Sequence, residues 1–403
     1  MSSSFLRTAF VLGLLSAIGP FAIDMYLPAL PTIAADLRVG TASVQMSLQI
    51  FFVAVAAGQL VVGPLSDMYG RKAPLYAGLV LFALGSVGAA LAPTIEWLIA
   101  FRFVQGIGAC AGMVVPRAIV RDLHTGTDAA KLMALLMLVF SVSPILAPLT
   151  GSLVIELFGW RAVFVVVAVA ALLAIAMAFF ALAETRPAEK RAGSTISGAL
   201  GSYAFLLRDR YFLGVCFMGG FGVASFFTYL ATSSFVLIEH YGLTPTLYGV
   251  FFAVNAIAFI GSSQFTSVLA QRFGMKRVVR VAVTGYAATM LTLFAIFAAG
   301  VDRLDVLAAL LFVGYGFLGL VVPASSVLAL DDHGARAGTA SALMGTLHLL
   351  SGVVAIMVVS LFFNNTPLPM VAGIAGCSVI SFVLAQITLR GRPSPLAAEA
   401  AAE

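Results

Sequence analysis

Asp24 lies deep inside an apolar stretch that covers residues 8–35, TAFVLGLLSAIGPFAIDMYLPALPTIAA. A carboxylate at bilayer depth costs about 2.5–3.5 kcal/mol on insertion scales, so such residues usually have a function. No other acidic residue of the chain falls deep inside a hydrophobic run. Because apolar surroundings disfavour the charged form, a carboxyl here can exchange a proton near neutral pH. The sequence therefore predicts a proton or cation site at Asp24.

Arg102 is a charged residue inside another apolar run, about 8 Å from the end of that run by helical rise. We expect it to lie near Asp24, where a fixed positive charge favours the ionised carboxyl and opposes the effect of burial. A change in the separation of the two charges would then switch the proton affinity. The alternative is an arginine that packs in the protein and donates hydrogen bonds to helix carbonyls.

The elements that position these residues are membrane helices. Of the 403 residues 61% are apolar and 10% are charged, whereas a soluble domain has about one quarter charged residues. A run of roughly 20 apolar residues crosses about 30 Å of hydrocarbon. Twelve such runs cover approximately 8–33, 44–65, 74–92, 97–119, 131–154, 161–182, 211–237, 246–270, 279–299, 304–328, 338–363 and 367–388. The predicted fold class is an all-α integral membrane protein with twelve transmembrane helices. Pro20, Pro28 and Pro31 bracket Asp24 and predict a bent first helix.

The basic residues are distributed unequally between the loops. If the N-terminus is cytoplasmic, the outside loops hold only Arg38, Arg161 and Arg303, and Arg102 lies within a span. The other 18 of the 22 Lys and Arg, among them Arg7, Arg117 and Arg336, fall on the inside. This asymmetry predicts that both termini are cytoplasmic. The net charge of +5 therefore reflects topology and does not indicate nucleic-acid binding.

The longest polar interruption separates six spans from six spans. We expect an N-terminal six-helix bundle over 1–182, a cytoplasmic linker over 183–210, a C-terminal six-helix bundle over 211–389 and a cytoplasmic tail over 390–403. The halves are pseudo-symmetric, because GPLSDMYGRK (63–72) and SVLAQRFGMKR (267–277) occupy equivalent loops. Parallel repeats of this kind are known in one large class of transporters, whose binding site lies between the repeats.

Several functional classes are excluded. The short loops leave no room for a nucleotide-binding module, and no GxxxxGK[ST] motif is present, so the chain does not hydrolyse ATP. HExxH and GxSxG are also absent, and one buried carboxylate cannot supply a paired acid and base, which argues against an enzyme. Cys110, Cys216 and Cys377 lack metal-site or disulfide spacing and are expected to pack as small apolar residues.

Three motifs resemble the major facilitator superfamily. GPLSDMYGRK is similar to its loop 2–3 signature, and LIAFRFVQGIGACAG (98–112) is similar to its fourth-helix motif, with Arg102 in the key position. FAIDMYLPALPTIAADL (21–37) resembles the first-helix signature of the Bcr/CflA branch of drug/proton antiporters, and AGTASALMG (337–345) extends the resemblance to the eleventh span. The resemblance covers essentially the whole chain. It implies an exporter of compounds such as bicyclomycin, phenicols or sulfonamides, with Arg102 near the proton site.

The loop between spans 2 and 3 is a candidate gate. The resemblance implies that this loop latches one half of the protein to the other in the outward-open state. From the residues alone, an aspartate can cap the next helix or bind an arginine across the interface, and Gly70 permits a tight turn with positive φ. A membrane anchor of positive-inside charges is the simpler interpretation. The candidate gating residues are Gly63, Asp67, Gly70, Arg71, Lys72, Arg121 and Asp122.

Span 5 contains SVSPILAPLTG, in which Pro144, Pro148 and Gly151 resemble the antiporter motif of the superfamily. The pattern indicates a kinked helix with a small-residue surface that packs closely on a neighbour. Ala147 and Leu149 depart from the glycine-rich form of the motif. Export is therefore favoured over uptake, and a kinked helix with no directional role is the alternative.

The substrate cavity is predicted from helix faces. Two glutamines on one stripe of span 2 indicate an aqueous or inward-facing surface, or else hydrogen bonds between helices. Aromatic residues in spans 7 and 8 suit an apolar cavity with few polar anchors. His348 is a candidate second titrating group or a satisfied buried histidine. The candidate cavity residues are Gln49, Phe52, Ala56, Phe226, Phe227, Tyr229, Phe251, Asn255 and His348.

These features together predict a proton-coupled drug exporter of the inner membrane that works by alternating access. Its expected partners are a small amphipathic drug, protons and the lipid bilayer. No cofactor is expected besides the proton gradient, and the protein is expected to act as a monomer. A proton-coupled exporter of a small metabolite, such as an amino acid derivative, is the nearest alternative. A membrane scaffold without transport would not need Asp24 or Arg102 in the bilayer.

Overall fold

A computed structural model describes residues 3–124, 126–191 and 195–389. Over these ranges the chain is helical and contains no strand. The α-helices of the first half are α1 (Ser3–Asp24), α2 (Leu30–Asp36), α3 (Thr41–Tyr69), α4 (Lys72–Ala90), α5 (Ile95–Leu123), α6 (Gly126–Phe158) and α7 (Arg161–Ala181). They are followed by α8 (Ile196–Leu206), α9 (Arg210–Ser234), α10 (Pro245–Ser263), α11 (Thr266–Phe273), α12 (Met275–Ala298), α13 (Leu304–Asp331), α14 (Ala337–Phe362) and α15 (Pro367–Leu389).

Within the described ranges, eleven helical segments are long and apolar enough to cross a membrane. Three of them join consecutive elements, such as α1 with α2 and α10 with α11. The 33-residue α6 supplies the twelfth crossing. The predicted all-α membrane fold is therefore confirmed. The predicted tail over 390–403 lies outside the described residues.

The helices before α8 pack mainly on one another, and so do the helices after it. In the first set, α5 contacts α1, α3 and α4, while α6 packs on α1. In the second set, α9 contacts α13, α14 and α15, and α12 packs on α13 and α15. The main contacts between the sets are α3 with α14 and α6 with α10. Below, the two sets are called the first and second halves.

Glycines allow α5 to pack at the centre of the first half. A Cβ on Gly106 would lie 2.6 Å from the Phe51 carbonyl oxygen of α3, and one on Gly108 would lie 2.3 Å from the backbone nitrogen of Phe82 in α4. Because glycine has no side chain, the backbones of the two helices can approach this closely at each contact. Close contacts at small residues are a common way for helices to associate in lipid. The close packing holds Arg102, on the same helix, against the first helix of the chain.

The first membrane crossing is broken directly after Asp24. The helix ends there, a 3-10 turn covers Leu27–Ala29, and α2 restarts with a proline in its first turn. The backbone N–H of Tyr26 donates to Ile23 O at 3.2 Å instead of continuing the α-helical pattern to Ala22 O. The break agrees with the bend that the prolines predict. It leaves the Ala22 carbonyl without its helical donor, inside the protein.

Helix α6 covers the break at close range. A Cβ on Gly151 would lie 2.4 Å from the carbonyl oxygen and 2.8 Å from the Cα of Met25, the residue that follows Asp24. These are backbone atoms, which cannot move aside as a flexible side chain can. Gly151 therefore sets the distance between α6 and the broken segment.

We predict that Gly151→Ala destabilises the protein by about 1–3 kcal/mol, because the added methyl group overpacks against backbone. The matched control is Gly376→Ala in α15, where a Cβ would meet no atom within 4 Å. The thermal unfolding temperatures of the two purified variants in detergent check this prediction. Equal unfolding temperatures of the two variants would show that the packing of α6 against the break does not require a glycine at position 151.

Candidate functional site

Asp24 lies at the break, between the two halves. It is the last residue of α1 and is only 5% exposed. The 3-10 turn that follows it contacts α9 and α10 of the second half. Among the described residues, no hydrogen bond or ion pair engages the carboxyl. Burial and the negative end of the α1 dipole both disfavour a carboxylate here, so the site is suited to hold a proton.

Arg102 is fully buried on α5 and stabilises the broken helix. Its Nη1 donates to the freed carbonyl of Ala22 at 3.3 Å and to Gln105 Oε1 at 2.6 Å. The guanidinium carbon lies 4.6 Å from the ring centre of Tyr26 and 4.3 Å from that of Phe51, which are favourable cation–π distances. A cation at the C-terminal end of α1 is also favourable for the helix dipole.

The structure gives no ion pair between Arg102 and Asp24 among the described contacts, contrary to the expectation from sequence. The guanidinium instead adopts the alternative role, that of a donor to a helix carbonyl. Its Nε and Nη2 have no hydrogen-bond partner in the described part of the chain. The physical reason is the break itself, because the released Ala22 carbonyl competes for the same donor. Gln105, which sequence reasoning missed, continues the contact to Ser86 at 2.8 Å.

The gating residues form a charged network on one side of the bundle. We call this the linker side, where α3 and α5 end and α8 lies; the far side is where α2 ends and α3 begins. Arg71 pairs with Asp67 at 2.8 Å and with Asp122 at 2.7 Å, and Asp67 also pairs with Arg186 at 3.3 Å. All of these residues belong to the first half or to the segment that follows α7. In this conformation none of these three ion pairs joins the two halves.

Glu184, a second residue missed from sequence, caps the N-terminus of α4. Its carboxylate accepts hydrogen bonds from the backbone N–H of Arg71 at 2.9 Å and of Lys72 at 3.2 Å. Partial burial would raise the pKa of Glu184, but these backbone hydrogen bonds outweigh it and hold the pKa below its ordinary value. The cap therefore stabilises the folded state at neutral pH, and this contribution is lost as pH falls through the lowered pKa.

Gly70 adopts the positive φ that its loop predicts, +89°. A Cβ there would lie 2.6 Å from both Glu184 Oε2 and an Arg191 nitrogen. Its counterpart in the second half, Gly274, has a φ of +80° and open space around it. The two repeat loops therefore share a backbone conformation, but only the first is packed against the linker. Lys72 adds a hydrogen bond to Leu182 O at 2.9 Å.

A cavity of about 680 Å³ opens between the halves on the linker side. The predicted gating residues Gly63, Asp67, Arg71, Arg121 and Asp122 line one wall. Other walls come from α8, with Ser202 and Tyr203, and from the start of α14, with Gly338 and Thr339. None of the nine predicted substrate residues lines this cavity.

Four of those nine residues instead join the halves. Gln49 Nε2 donates to Ser360 at 3.4 Å, and the Ala56 carbonyl accepts from Thr346 at 3.0 Å. The rings of Phe52 and Phe227 stack with centroids 4.5 Å apart. The neighbouring Gln45 donates to Ala231 O at 3.0 Å. The glutamine stripe thus makes helix-to-helix hydrogen bonds in this conformation, the alternative left open from sequence.

The remaining candidate residues line the interior of the second half. Phe226 and Tyr229 belong to an aromatic cluster with Phe252 and Tyr315, and Phe251 is half-buried beside it. Asn255 is 2% exposed and donates to the Tyr229 hydroxyl at 3.3 Å. His348 packs against the glycines of α9, and its Nε2 has no partner among the described residues.

The candidate antiporter motif connects the break to the second half. Beside Gly151, Ser152 donates to the Pro245 carbonyl of α10 at 2.7 Å. Leu149, which departs from the glycine-rich pattern, packs within 3.0 Å of a Cβ position on Gly249 of α10. At this contact the glycine is therefore Gly249 on α10, and the motif residue on α6 is the larger Leu149. Pro144 and Pro148 both lie inside α6, which continues through them.

Two bundled sets of membrane helices, with a buried carboxyl between them and a cavity open to one side, are the architecture of a membrane transporter. Residues 12–356 match the Major Facilitator Superfamily, and the chain belongs to that family.

Relatives align over nearly the whole chain. It is 39% identical to "Uncharacterized MFS-type transporter YdgK" of Bacillus subtilis, over 86% of this chain and 87% of the relative. It is 31% identical to "Bicyclomycin resistance protein homolog" of Haemophilus influenzae, over 94% and 95%. It is 30% identical to "Multidrug resistance protein MdtL" of Escherichia coli, over 97% of each chain. These names agree with the branch that the first-helix signature resembles.

Solved structures share the fold. A D-xylose-proton symporter superposes with a TM-score of 0.72 at 17% identity, covering 97% of this chain and 98% of the symporter. A bacterial homologue of the human lysosomal transporter Spinster superposes with a TM-score of 0.74 at 16% identity, covering 98% of this chain and 100% of the homologue.

We predict that Arg102 and Asp24 contribute to stability independently. Arg102→Met should cost about 1–3 kcal/mol, because it leaves the buried Ala22 carbonyl unsatisfied. In a double-mutant cycle with Asp24→Asn, thermal unfolding in detergent should give a coupling energy below about 0.5 kcal/mol. A coupling of several kcal/mol would reveal a buried ion pair instead.

We predict that Gly70→Ala releases the linker, whereas Gly274→Ala does not. Each substitution forces a backbone conformation that costs of order 1–3 kcal/mol for a residue with a side chain. Only Gly70→Ala places its added methyl group against Glu184. Limited trypsin digestion should therefore cleave Gly70→Ala faster after Arg191 than it cleaves the control. Equal cleavage rates in the two variants would show that Gly70 is not needed to hold the linker in place.

Proposed function

We propose that this protein exports small amphipathic compounds, such as bicyclomycin-like or phenicol-like antibiotics, in exchange for protons. The proposal rests first on Asp24, a carboxyl that is 5% exposed at a helix break between the two halves and has no ion pair in the described part of the chain. The protonation state of a group at this position can depend on which side of the membrane is open, because the group lies where the halves would move against each other.

The drug assignment is supported by the relatives. Two of the proteins to which the chain is similar carry names that refer to bicyclomycin and multidrug resistance. The aromatic interior of the second half, with Asn255 and Tyr229 as sparse polar groups, suits an uncharged amphipathic compound. A strongly charged metabolite would find few partners there.

The proposed cycle begins in the conformation described above. A drug enters through the cavity on the linker side while Asp24 is deprotonated. The linker side then closes and the far side opens, which requires the Phe52–Phe227 stack and the Gln49–Ser360 contact to separate. Protonation of Asp24 from the far side favours drug release and permits the return. Each proton that enters supplies about 2.3 kcal/mol per 100 mV of membrane potential, in addition to the pH gradient.

We assign the linker side to the cytoplasm, since the Lys and Arg residues concentrate there. The protein would then lie in the bacterial inner membrane with both termini in the cytoplasm. The proton gradient is its only energy source in this proposal, and a single chain forms the complete pathway between its two halves.

The test is export into everted membrane vesicles energised by respiration. Asp24→Asn should reduce proton-driven uptake of bicyclomycin by at least about tenfold, because the amide cannot exchange a proton. Asp36→Asn is the matched control: it makes the same change on α2, where Asp36 pairs with Arg161 at 2.7 Å on the far side and is half exposed.

The control should transport at the wild-type rate, and both variants should insert to the wild-type level. Normal proton-driven transport by Asp24→Asn would contradict the proposal. Wild-type vesicles that accumulate no drug from a panel including bicyclomycin and chloramphenicol would refute the drug assignment.

A further inference from the structure

The short helix α8 contacts both halves of the protein on the linker side. It packs on α3 of the first half and on α14 of the second, and these two helices also pack on each other. Thr195 caps the start of α8, because its side chain accepts a hydrogen bond from the backbone N–H of Gly198 at 3.1 Å. One face of α8, with Ser202 and Tyr203, forms a wall of the cavity.

Tyr203 anchors α8 to the first half. Its hydroxyl donates to the backbone carbonyl of Leu60 in α3 at 3.2 Å, and the residue is 8% exposed. Pro64 lies four residues further along α3 and has no N–H, so the helix offers no donor to this carbonyl in the usual position. An unsatisfied buried carbonyl is unfavourable. The Tyr203 hydroxyl therefore takes the place of the donor that Pro64 lacks.

Phe205 and the turn after it anchor α8 to the second half. The centre of the Phe205 ring lies 4.2 Å from Cζ of Arg336, which directly precedes α14, and 6.4 Å from the ring centre of His333. In the turn between α8 and α9, Asp209 Oδ2 lies 3.2 Å from Nε2 of His333. Two residues of α8, Tyr203 and Phe205, thus hold different halves of the protein.

A second face of α8 carries an exposed apolar stripe. Ile196, Leu200, Ala204 and Leu207 follow one another at intervals of four, four and three residues, so they share one side of the helix. The three larger side chains are between 49% and 60% exposed. This side is turned away from the cavity, because none of the four residues lines it. An apolar stripe of this size is unfavourable in water.

The residues around the stripe match the surface of a lipid bilayer. Arg208 and Arg210 follow the stripe directly and are exposed, and such cations are attracted to anionic headgroups. Ser197 and Gly201 lie next to the stripe and are exposed as well, so a small and polar face borders the apolar one. On α3 the apolar surface continues with Val61, which is also exposed.

The depth of α8 agrees with this location. The 29-residue α3 is about 43 Å long, so it extends about 7 Å beyond each side of a 30 Å hydrocarbon layer if it is centred there. Leu60, which Tyr203 contacts, lies about 13 Å before the end of α3 by helical rise. The contact is therefore about 7 Å inside the hydrocarbon boundary, similar to the depth of about 5–10 Å at which interfacial helices bury their apolar faces.

We propose that α8 is an interfacial strap. Its apolar stripe lies in the linker-side leaflet of the bilayer, with anionic headgroups beside Arg208 and Arg210, and its anchors at Tyr203 and Phe205 tie the two halves together beside the open cavity. A movement of the halves against each other must break one anchor, and the lipid contact then keeps α8 at the membrane surface. This inference goes beyond the proposed drug export and holds for any transported compound.

The test places a spin label on each face of α8 in the full-length protein, in vesicles of phosphatidylethanolamine and phosphatidylglycerol. The three cysteines of the chain, Cys110, Cys216 and Cys377, are buried, so an introduced cysteine takes the label. The label at Leu200→Cys should be relaxed by oxygen at least about twofold more strongly than by a water-soluble nickel chelate on both sides of the membrane, because an interfacial helix buries its apolar face in lipid.

Ser202→Cys is the matched control, two residues away on the face that lines the cavity. Its label should be relaxed more strongly by the nickel chelate than by oxygen. Equal accessibility at the two positions would overturn the proposal. Dipolar broadening between labels at Leu200→Cys would do so as well, because it would show that a second copy of the chain covers the stripe. Unchanged accessibility in vesicles without phosphatidylglycerol would overturn the assignment of anionic headgroups to Arg208 and Arg210.

The anchor is tested through the mobility of the label at Leu200→Cys. Tyr203→Phe should increase this mobility, because the hydrogen bond to the Leu60 carbonyl is lost. In a Pro64→Ala background the backbone N–H of residue 64 can bind the same carbonyl, so adding Tyr203→Phe should increase the mobility much less. An equal increase in both backgrounds, or no increase in either, would show that this hydroxyl does not hold α8 to the first half and would overturn the strap.

Discussion

The structure depends on a helix that stops in the middle of a membrane protein. A helix end in this environment exposes carbonyls that no water can satisfy, so the surrounding protein must satisfy them. Arg102 does so by donating to Ala22 O, and its own charge is stabilised by the helix dipole and by two aromatic rings. Gly151 allows α6 to close over the same segment. Asp24 is therefore held by the architecture of the break, and no ionic partner is needed to keep it there.

The same break places the carboxyl against the interface between the two halves. The residues after Asp24 contact α9 and α10, which belong to the other half. The far side is closed by hydrogen bonds and by stacked rings, whereas the linker side holds a cavity of about 680 Å³. A change in the relative position of the halves must alter both the packing around Asp24 and the access to it. Burial and access are the two quantities that control whether a carboxyl carries its proton.

Sequence reasoning found the features that local chemistry determines. The apolar runs, the carboxyl within the first run, the prolines after it and the glycines at close contacts each follow from residue type and spacing. The positive φ of Gly70 was likewise predicted from its loop, and Gly274 in the repeated loop shares it. The partner of Arg102 was not, because the acceptor is a backbone carbonyl that only the break makes available. Glu184 carries no local signal, since its importance comes from Arg71, which lies more than 100 positions away in the chain.

The cavity residues were predicted less well for a different reason. A side chain between two moving halves can join them in one state and line a cavity in another, so its helix face alone does not determine its surroundings. Phe52 and Gln49 show this, because both contact the second half here. Helix periodicity placed the glutamines on one stripe of the helix, but the conformation decides which part of the interface is open.

The central claim is that Asp24 changes its protonation state when substrate binds. Adding bicyclomycin to the purified protein in weakly buffered detergent solution, and recording the pH, measures this directly. The account predicts release of protons by the wild-type protein and none by Asp24→Asn. An equal release from both proteins, or no release from a wild-type protein that binds the drug, would contradict it.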